Sequence, residues 1–176
     1  IINRAANAGC PVLVLLSDVP SFGFRPRDIR NGLAMPPKMS ARNFYQILKR
    51  PEWALKTLIH GQPEFKTLNP YMPKGLNLSQ LGKFMDETFD GRLNEEKIKP
   101  IRDQWKGKIV LKGVASESDM EKAIRLGVDG VIISNHGGRQ LDAGQSTIHV
   151  LKNLKDKYQD KITIMMDSGL RNGPDV

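Results

Sequence analysis

One cysteine, Cys10, stands among 176 residues, so no disulfide framework staples this chain. Placed where a first helix hands over to a first strand, that thiol reads as a small buried hydrophobe. Long apolar runs are missing as well: no stretch of about 20 residues is suited to crossing a bilayer. Histidine is scarce, with only His60, His136 and His149, and no pair has the spacing of metal ligands, so no metal centre is expected. Positive charge is in excess, 27 Lys and Arg against 19 Asp and Glu for a formal net charge of +8. No block of consecutive Lys and Arg interleaved with aromatics accompanies it, which argues against nucleic acid as a partner. The chain opens Ile-Ile-Asn-Arg-Ala-Ala-Asn-Ala, an amphipathic helix with neither an N-cap nor an initiating Met. No signal peptide is legible there, and the start reads as the interior of a longer protein.

What is present suits one globular domain, 39% hydrophobic and 26% charged. Helix and strand alternate along it. Residues 1–8 read as a helix ended by Gly9, and Pro11 opens an apolar strand over Val12–Leu16. Lys108–Leu111 reads as a second strand. Ser116, with Asp119 three residues on, is a capping box for a helix that buries Met120, Ala123 and Ile124 and stops at Gly127. Gly130–Ile133 is a third strand. A helix capped by Ser146 follows, with Ile148, Leu151, Leu154 and Tyr158 on one face, and Ile162–Met166 is the fourth strand. Pro100, within the apolar pattern Ile98, Ile101 and Trp105, suggests a helix that starts late. Such a βαβ succession makes a parallel sheet. Polar groups follow every strand: Asp18, Lys112, His136 and Asp167. A doubly wound sheet gathers ligand contacts at one switch point, whereas a (β/α)8 barrel draws them from many strands. An α/β barrel is therefore the expected fold, and four strands are about half of one.

Residues 134–142, Ser-Asn-His-Gly-Gly-Arg-Gln-Leu-Asp, follow the buried strand Val131-Ile132-Ile133. His136 exchanges a proton near neutral pH, Arg139 grips a carboxylate through two parallel hydrogen bonds, and Gly137 and Gly138 let backbone approach a flat ligand. That trio suits chemistry on a 2-hydroxy acid. Removing the α-hydrogen with its electron pair needs a base, and His136 is the only histidine placed after a strand in a glycine-rich turn. Asp18 has two readings, a turn-former after its strand or the carboxylate that orients the imidazole and stabilises the imidazolium. Arg25 is either a surface residue of Arg25-Pro26-Arg27-Asp28 or further positive charge beside the substrate. Lys112 interrupts an apolar strand and is costly to bury without a negative partner. Ser134 either completes backbone hydrogen bonding at its strand's end or faces a ligand. Asp167-Ser168-Gly169-Leu170-Arg171 ends the last strand and opens a helix, where backbone amides and Arg171 would meet an anion. His60 and His149 read as helix-surface residues.

The run SNHGGRQLD resembles the active-site segment of the FMN-dependent 2-hydroxy-acid dehydrogenases and oxidases. The likeness runs in order through Ser17-Asp18-Val19-Pro20 with Gly23 and Arg25, then Val110-Leu111-Lys112-Gly113, then residues 134–142, then Asp167-Ser168-Gly169-Leu170-Arg171-Asn172-Gly173. It covers nearly the whole chain except a long middle. The resemblance implies a (β/α)8 barrel of which residues 1–176 supply roughly strands 4 to 7, with further pieces of the barrel on both sides. This chain alone is then expected neither to bind FMN nor to turn over. Catalytic roles are implied for His136, Asp18, Arg139 and Lys112, and substrate contacts for Arg25, Arg139 and His136. FMN contacts are implied for Lys112, Ser134, Asp167, Ser168, Gly169 and Arg171. Lys112 would lie near the flavin pyrimidine edge and raise its electron affinity, Asp167 would meet ribityl hydroxyls, and the phosphate would lie over the loop that holds Arg171. Many relatives carry Thr two residues before the active-site Asp; Leu16 stands there here, which removes one expected flavin hydrogen bond.

The middle, about residues 26–94, is too long for an ordinary βα loop. Ser40–Arg50 and Glu52–His60 read as helices split by Pro51, and Leu78–Phe89 as another with Leu81, Phe84, Met85 and Phe89 as its apolar residues. Between Lys38 and Lys66, Arg42, Lys49, Arg50 and Lys56 are mixed with Phe44, Tyr45, Trp53, Leu55 and Leu58. That mixture suits either an interfacial segment or a solvated helical excursion packed on its own barrel. The insertion is more similar to that of the membrane-associated lactate and mandelate dehydrogenases than to the shorter loop of the oxidases. The resemblance thus implies oxidation of an L-2-hydroxy acid, foremost L-lactate to pyruvate, with electrons passed to a quinone or cytochrome. The implied enzyme is cytoplasmic, peripheral at the inner face of the membrane through about residues 38–66, and a homo-oligomer at full length. Two other readings stay open: the same half-reaction with oxygen as acceptor, and a non-catalytic fragment that pairs its open sheet edges with another chain. Carbanion and hydride mechanisms fit these residues equally.

Overall fold

The computed structural model describes residues 1–19, 25–32, 39–61, 66–76, 78–88 and 93–175; Pro20, Gly23, Lys38 and Phe89 lie outside them. In chain order the elements are α1 (Ile2–Asn7), β1 (Val12–Leu16), α2 (Pro26–Arg30), α3 (Ala41–Leu48), α4 (Pro51–His60), α5 (Leu78–Thr88), α6 (Glu95–Gln104), β2 (Lys108–Val114), α7 (Glu117–Arg125), β3 (Gly130–Ile133), α8 (Thr147–Tyr158) and β4 (Thr163–Met166). They form two compact units, residues 1–24 with 89–176 and residues 25–88.

In the first unit all strand pairs are parallel and the spatial order is β1-β2-β3-β4, the same as the chain order. A doubly wound sheet reverses its order at a switch point; consecutive order without reversal is what a barrel segment shows. Period-2 alternation sends Ile109, Leu111, Val131 and Ile133 to one face, where they form a single core with Ile98 and Trp105 of the α6 region, Met120 and Ala123 of α7, and Val150, Leu154 and Tyr158 of α8. All three helices thus cover the same face. The other face carries Val12, Val14, Leu16 and Met165, 43, 43, 49 and 38% exposed, the side that a closed barrel turns inward.

At the amino end of the sheet, Asp129 receives Lys108 Nζ at 2.7 Å, Arg102 Nη1 at 3.1 Å and the Ile109 amide at 2.9 Å. The Lys108 and Ile109 hydrogen bonds hold its carboxyl below the usual aspartate range against the upward pull of burial. Arg102 continues to the carbonyls of Trp105 and Gly107, so one carboxylate ties α6, β2 and the turn before β3 together. On the covering layer, Tyr158 Oη is shared between Glu117 and Glu121 of α7, and burial followed by those carboxylates pushes the phenol up to about 12.

Four expectations need correction. Cys10 is exposed, in the turn at Gly9 (φ 72) that leads into β1, the first strand of the sheet order. Helix α6 does not start late: Asn94 caps it through the Lys97 amide, and Pro100 lies inside. Pro100 removes one N–H from the helix ladder, and Ile98 of the same helix is buried in the core. Ser146 occupies the N-cap position of α8 without a side-chain cap, and the buried stripe is Thr147, Val150, Leu154 and Tyr158, leaving Ile148 57% exposed. The Thr147 hydroxyl donates to the Ser168 carbonyl at 3.1 Å, which rotates the stripe toward β4. The Ser116 box is only half formed: its hydroxyl accepts from the Asp119 amide but donates to the Asp119 carboxylate.

Within the second unit, Ser40 caps α3 through the Asn43 amide and Pro51 opens α4 at its first turn, as their sequence positions suggest. Phe44, Tyr45, Leu48, Trp53, Leu55, Leu58 and Ile59 of this pair are all exposed, Leu58 by 81%. Arg42, Lys49, Arg50 and Lys56 are exposed beside them.

Candidate active site

The carboxyl ends of the four strands deliver the groups read from the sequence. After β1, the Ser17 amide and hydroxyl both donate to the Lys112 carbonyl at 2.8 Å, fixing where the chain leaves the sheet and presents Asp18. Gly113 makes room for it. The β2–β3 register slips between Lys112 and Val114, Gly113 lies at φ 102, and a Cβ there would stand 2.5 Å from Asp18 Cβ. No side chain but hydrogen fits.

Asp18 Oδ2 lies 3.3 Å from His136 Nδ1 and 3.8 Å from Lys112 Nζ. Its Oδ1 is buried and has no hydrogen-bond partner among the described residues. A buried, unpaired carboxylate oxygen is costly unless charge nearby compensates it, and the Lys112 ammonium beside the same carboxylate supplies that charge. Lys112 donates to Ser134 Oγ at 2.6 Å and pairs with Asp167 Oδ2 at 2.9 Å, so one ammonium links the ends of β2, β3 and β4. The cost of burying Lys112 is met by two carboxylates. Burial works to raise the Asp167 carboxyl, but hydrogen bonds from Ser134, Lys112 and Ser168 and the Lys112 charge outweigh it and leave it below its ordinary value.

His136 sits half-buried in a short 3₁₀ turn, His136–Gly138, after β3. Asn135 fixes that turn through its own side chain, which accepts from the Gly138 amide at 3.3 Å and donates to the Gln145 carbonyl. Asn135, Gly113, Ser17 and Thr147 are site-building residues that sequence reasoning passed over; only Asn135 left a signal, an Asn two residues before a Gly-Gly pair.

A cleft of about 440 Å³ opens above these strand ends, lined by Lys112, His136, Gly137, Arg139, Asp167, Gly169, Leu170 and Arg171. The lining holds three cationic residues, Lys112, Arg139 and Arg171, and a single carboxylate, Asp167, a balance that suits an anionic ligand. A Cβ added to Gly137 or Gly169 would meet no atom within 4 Å, so bare backbone borders open space there. A flat, anionic cofactor with a polyol chain fits this lining. Arg25 belongs to the second unit, where it precedes α2 and stands 3.9 Å from Asp28. One feature of the last loop differs from expectation. The amides of Arg171 and Asn172 donate to Asp175 Oδ2, at 2.7 and 3.0 Å, so the anion they meet is the chain's own, and a 3₁₀ turn, Gly173–Asp175, stands where a helix was expected.

The sequence pattern of one family, described as FMN-dependent dehydrogenase, matches residues 1–176. The chain belongs to that family. FMN is the family's cofactor. Among individual FMN-dependent dehydrogenases, the chain is 36% identical to an L-lactate dehydrogenase of Pectobacterium atrosepticum over 176 residues, 99% of this chain and 45% of that protein. Among solved structures it is similar to a monotopic membrane protein, (S)-mandelate dehydrogenase, with a TM-score of 0.84 and 34% identity over 99% of this chain and 46% of the other. A mandelate oxidase variant holding a C4a-OH-FMN adduct matches with a TM-score of 0.64 and 27% identity, over 99% and 40% of the two chains. The chain thus spans under half the length of these relatives, and its four strands supply about half of a (β/α)8 barrel.

Proposed function

We propose that these strands, completed to a barrel, oxidise an L-2-hydroxy acid, foremost L-lactate to pyruvate, and that the electrons leave to a quinone or cytochrome. The observation that carries this reading is the His136–Asp18 pair, 3.3 Å apart, beside a cleft lined by Arg139 and Lys112. A base with a carboxylate behind it and a guanidinium in front is what a hydroxy acid requires. In this reading Arg139 holds the substrate carboxylate. Asp18 faces Nδ1, so Nε2 of His136 accepts the proton, and Asp18 stabilises the imidazolium that results. Lys112 supplies fixed positive charge where negative charge develops. Ser134 and Asp167 offer polar contacts to the flavin, and the backbone of Ser168 and Gly169, with the Arg171 side chain, to its ribityl and phosphate groups. When bound, FMN supplies the acceptor for the two electrons that leave the substrate's α-carbon.

Likeness to an L-lactate and an (S)-mandelate dehydrogenase supports the substrate class, and the monotopic relative supports a membrane-bound acceptor. No described helix is long and apolar enough to cross a membrane. The exposed apolar and basic residues of α3 and α4 instead suit peripheral contact at the cytoplasmic face, and the barrel as a whole is proposed to be homo-oligomeric. The 176 residues by themselves are proposed to be inactive, with residues 26–94 as a βα-loop insertion. Anaerobic L-lactate should bleach the oxidised flavin of the FMN-loaded full-length protein, and a quinone analogue should restore its absorbance faster than oxygen. No bleaching by L-lactate, L-mandelate or glycolate overturns the hydroxy-acid reading. Peroxide formed in step with each turnover in air overturns the respiratory acceptor.

A further inference from the structure

We infer that Ser168, from the loop after β4, is the positioning residue that holds the His136 turn in its working shape; the inference rests on the reading of His136 as the base. Successive amides of that turn each meet a side-chain oxygen: Asn135 N reaches Ser168 Oγ at 3.3 Å, His136 N reaches Ser134 Oγ at 3.1 Å, Gly137 N reaches Ser168 Oγ at 3.1 Å, and Gly138 N reaches Asn135 Oδ1 at 3.3 Å. The turn needs such fastening. His136, Gly137 and Gly138 lie at φ 57, 66 and 71, and the left-handed region is unfavourable for histidine.

Two of the four amides go to one oxygen of a different strand's loop. The proton of that hydroxyl goes to Asp167 Oδ1 at 2.8 Å. A serine hydroxyl has one proton and two lone pairs, so these three bonds use its full capacity. Ser168 itself sits at φ 74, where glycine would fit without strain. A serine there is understandable only through what its hydroxyl does. The Thr147 hydroxyl anchors the same residue from behind, through its carbonyl at 3.1 Å. Because Asp167 also pairs with Lys112 at 2.9 Å, Ser168 joins the flavin-side ion pair to the turn that carries the base.

The test compares Ser168→Gly and Ser168→Ala with the parent, as FMN-loaded full-length protein. Glycine removes the hydroxyl and the backbone strain together, so a fold that merely needed relief would gain; alanine removes the hydroxyl alone. Both variants should retain flavin, and kcat should fall about 100-fold while KM changes little, the scale of a misplaced catalytic group. The acid limb of kcat/KM should move to lower pH as the imidazolium loses Asp18. Amide exchange at 135–138 should accelerate in both variants, a readout independent of turnover. Parental kcat and pH profile in Ser168→Gly, or unchanged exchange at 135–138, overturns the inference. Should the parent prove inert toward hydroxy acids, the exchange comparison still decides it.

Discussion

Gly113 shows how much a site can depend on an atom that is missing. A Cβ there would stand 2.5 Å from Asp18 Cβ and 2.8 Å from Asp18 Cγ and N, at a φ of 102. Gly113→Ala should therefore cost about 2–3 kcal/mol of stability, read by urea unfolding, and displace Asp18 enough to depress turnover. Asp18, Lys112, Ser134, His136 and Asp167 were legible in the sequence because each lies at or near the carboxyl end of an apolar strand, and strand ends are where a parallel sheet presents function. The contacts among them were not. That Lys112 reaches Ser134 and two carboxylates depends on strand order and on the bulge at Gly113, neither of which leaves a local mark. Cys10 was misread for a similar reason: burial at an edge depends on what lies across it.

Strand positions followed from β-branched runs and held to within a residue except for β2, which continues beyond Leu111 to Val114. Helix α8 was placed correctly but turned wrongly, because the Thr147–Ser168 hydrogen bond spans 21 residues of sequence. Two predictions belong to elements. Asp129→Asn weakens the carboxylate that ties α6 to β2, and should lower stability by about 2 kcal/mol, as a drop in the urea midpoint with unchanged slope. Leu58→Glu with Ile59→Glu, on the exposed side of α4, should reduce sedimentation with anionic vesicles at least about tenfold while leaving the far-UV spectrum intact, since each buried aliphatic side chain contributes about 1.5–3 kcal/mol. Equal binding by parent and variant would remove α4 from the membrane contact.

At the scale of the whole molecule, the first unit's sheet has one face closed by helices, while the other carries the exposed Val12, Val14, Leu16 and Met165. The half-barrel was legible from the count of strands; the uncovered inner face is its physical consequence. Acid sensitivity is a second global property. Asp129, Asp167 and Glu117 all have carboxyls lowered by their partners in the folded state. A lowered folded value means that the unfolded chain binds protons first, so the stabilisation is complete above about pH 4–4.5 and is lost as pH falls through the lower folded values. Urea midpoints should thus be flat from pH 7 to 5 and fall steeply below pH 4, with Asp129→Asn flattening part of that fall.

In the proposed reaction His136, backed by Asp18, takes the proton from a hydroxy acid held above these strand ends. Anaerobic single-turnover reduction of the bound flavin by L-lactate, in the full-length parent and in His136→Gln, tests it most directly. Flavin content should be equal and the rate slowed by about 10²–10⁴-fold in the variant, the range for losing a positioned base. Reduction of the variant at the parental rate would contradict it.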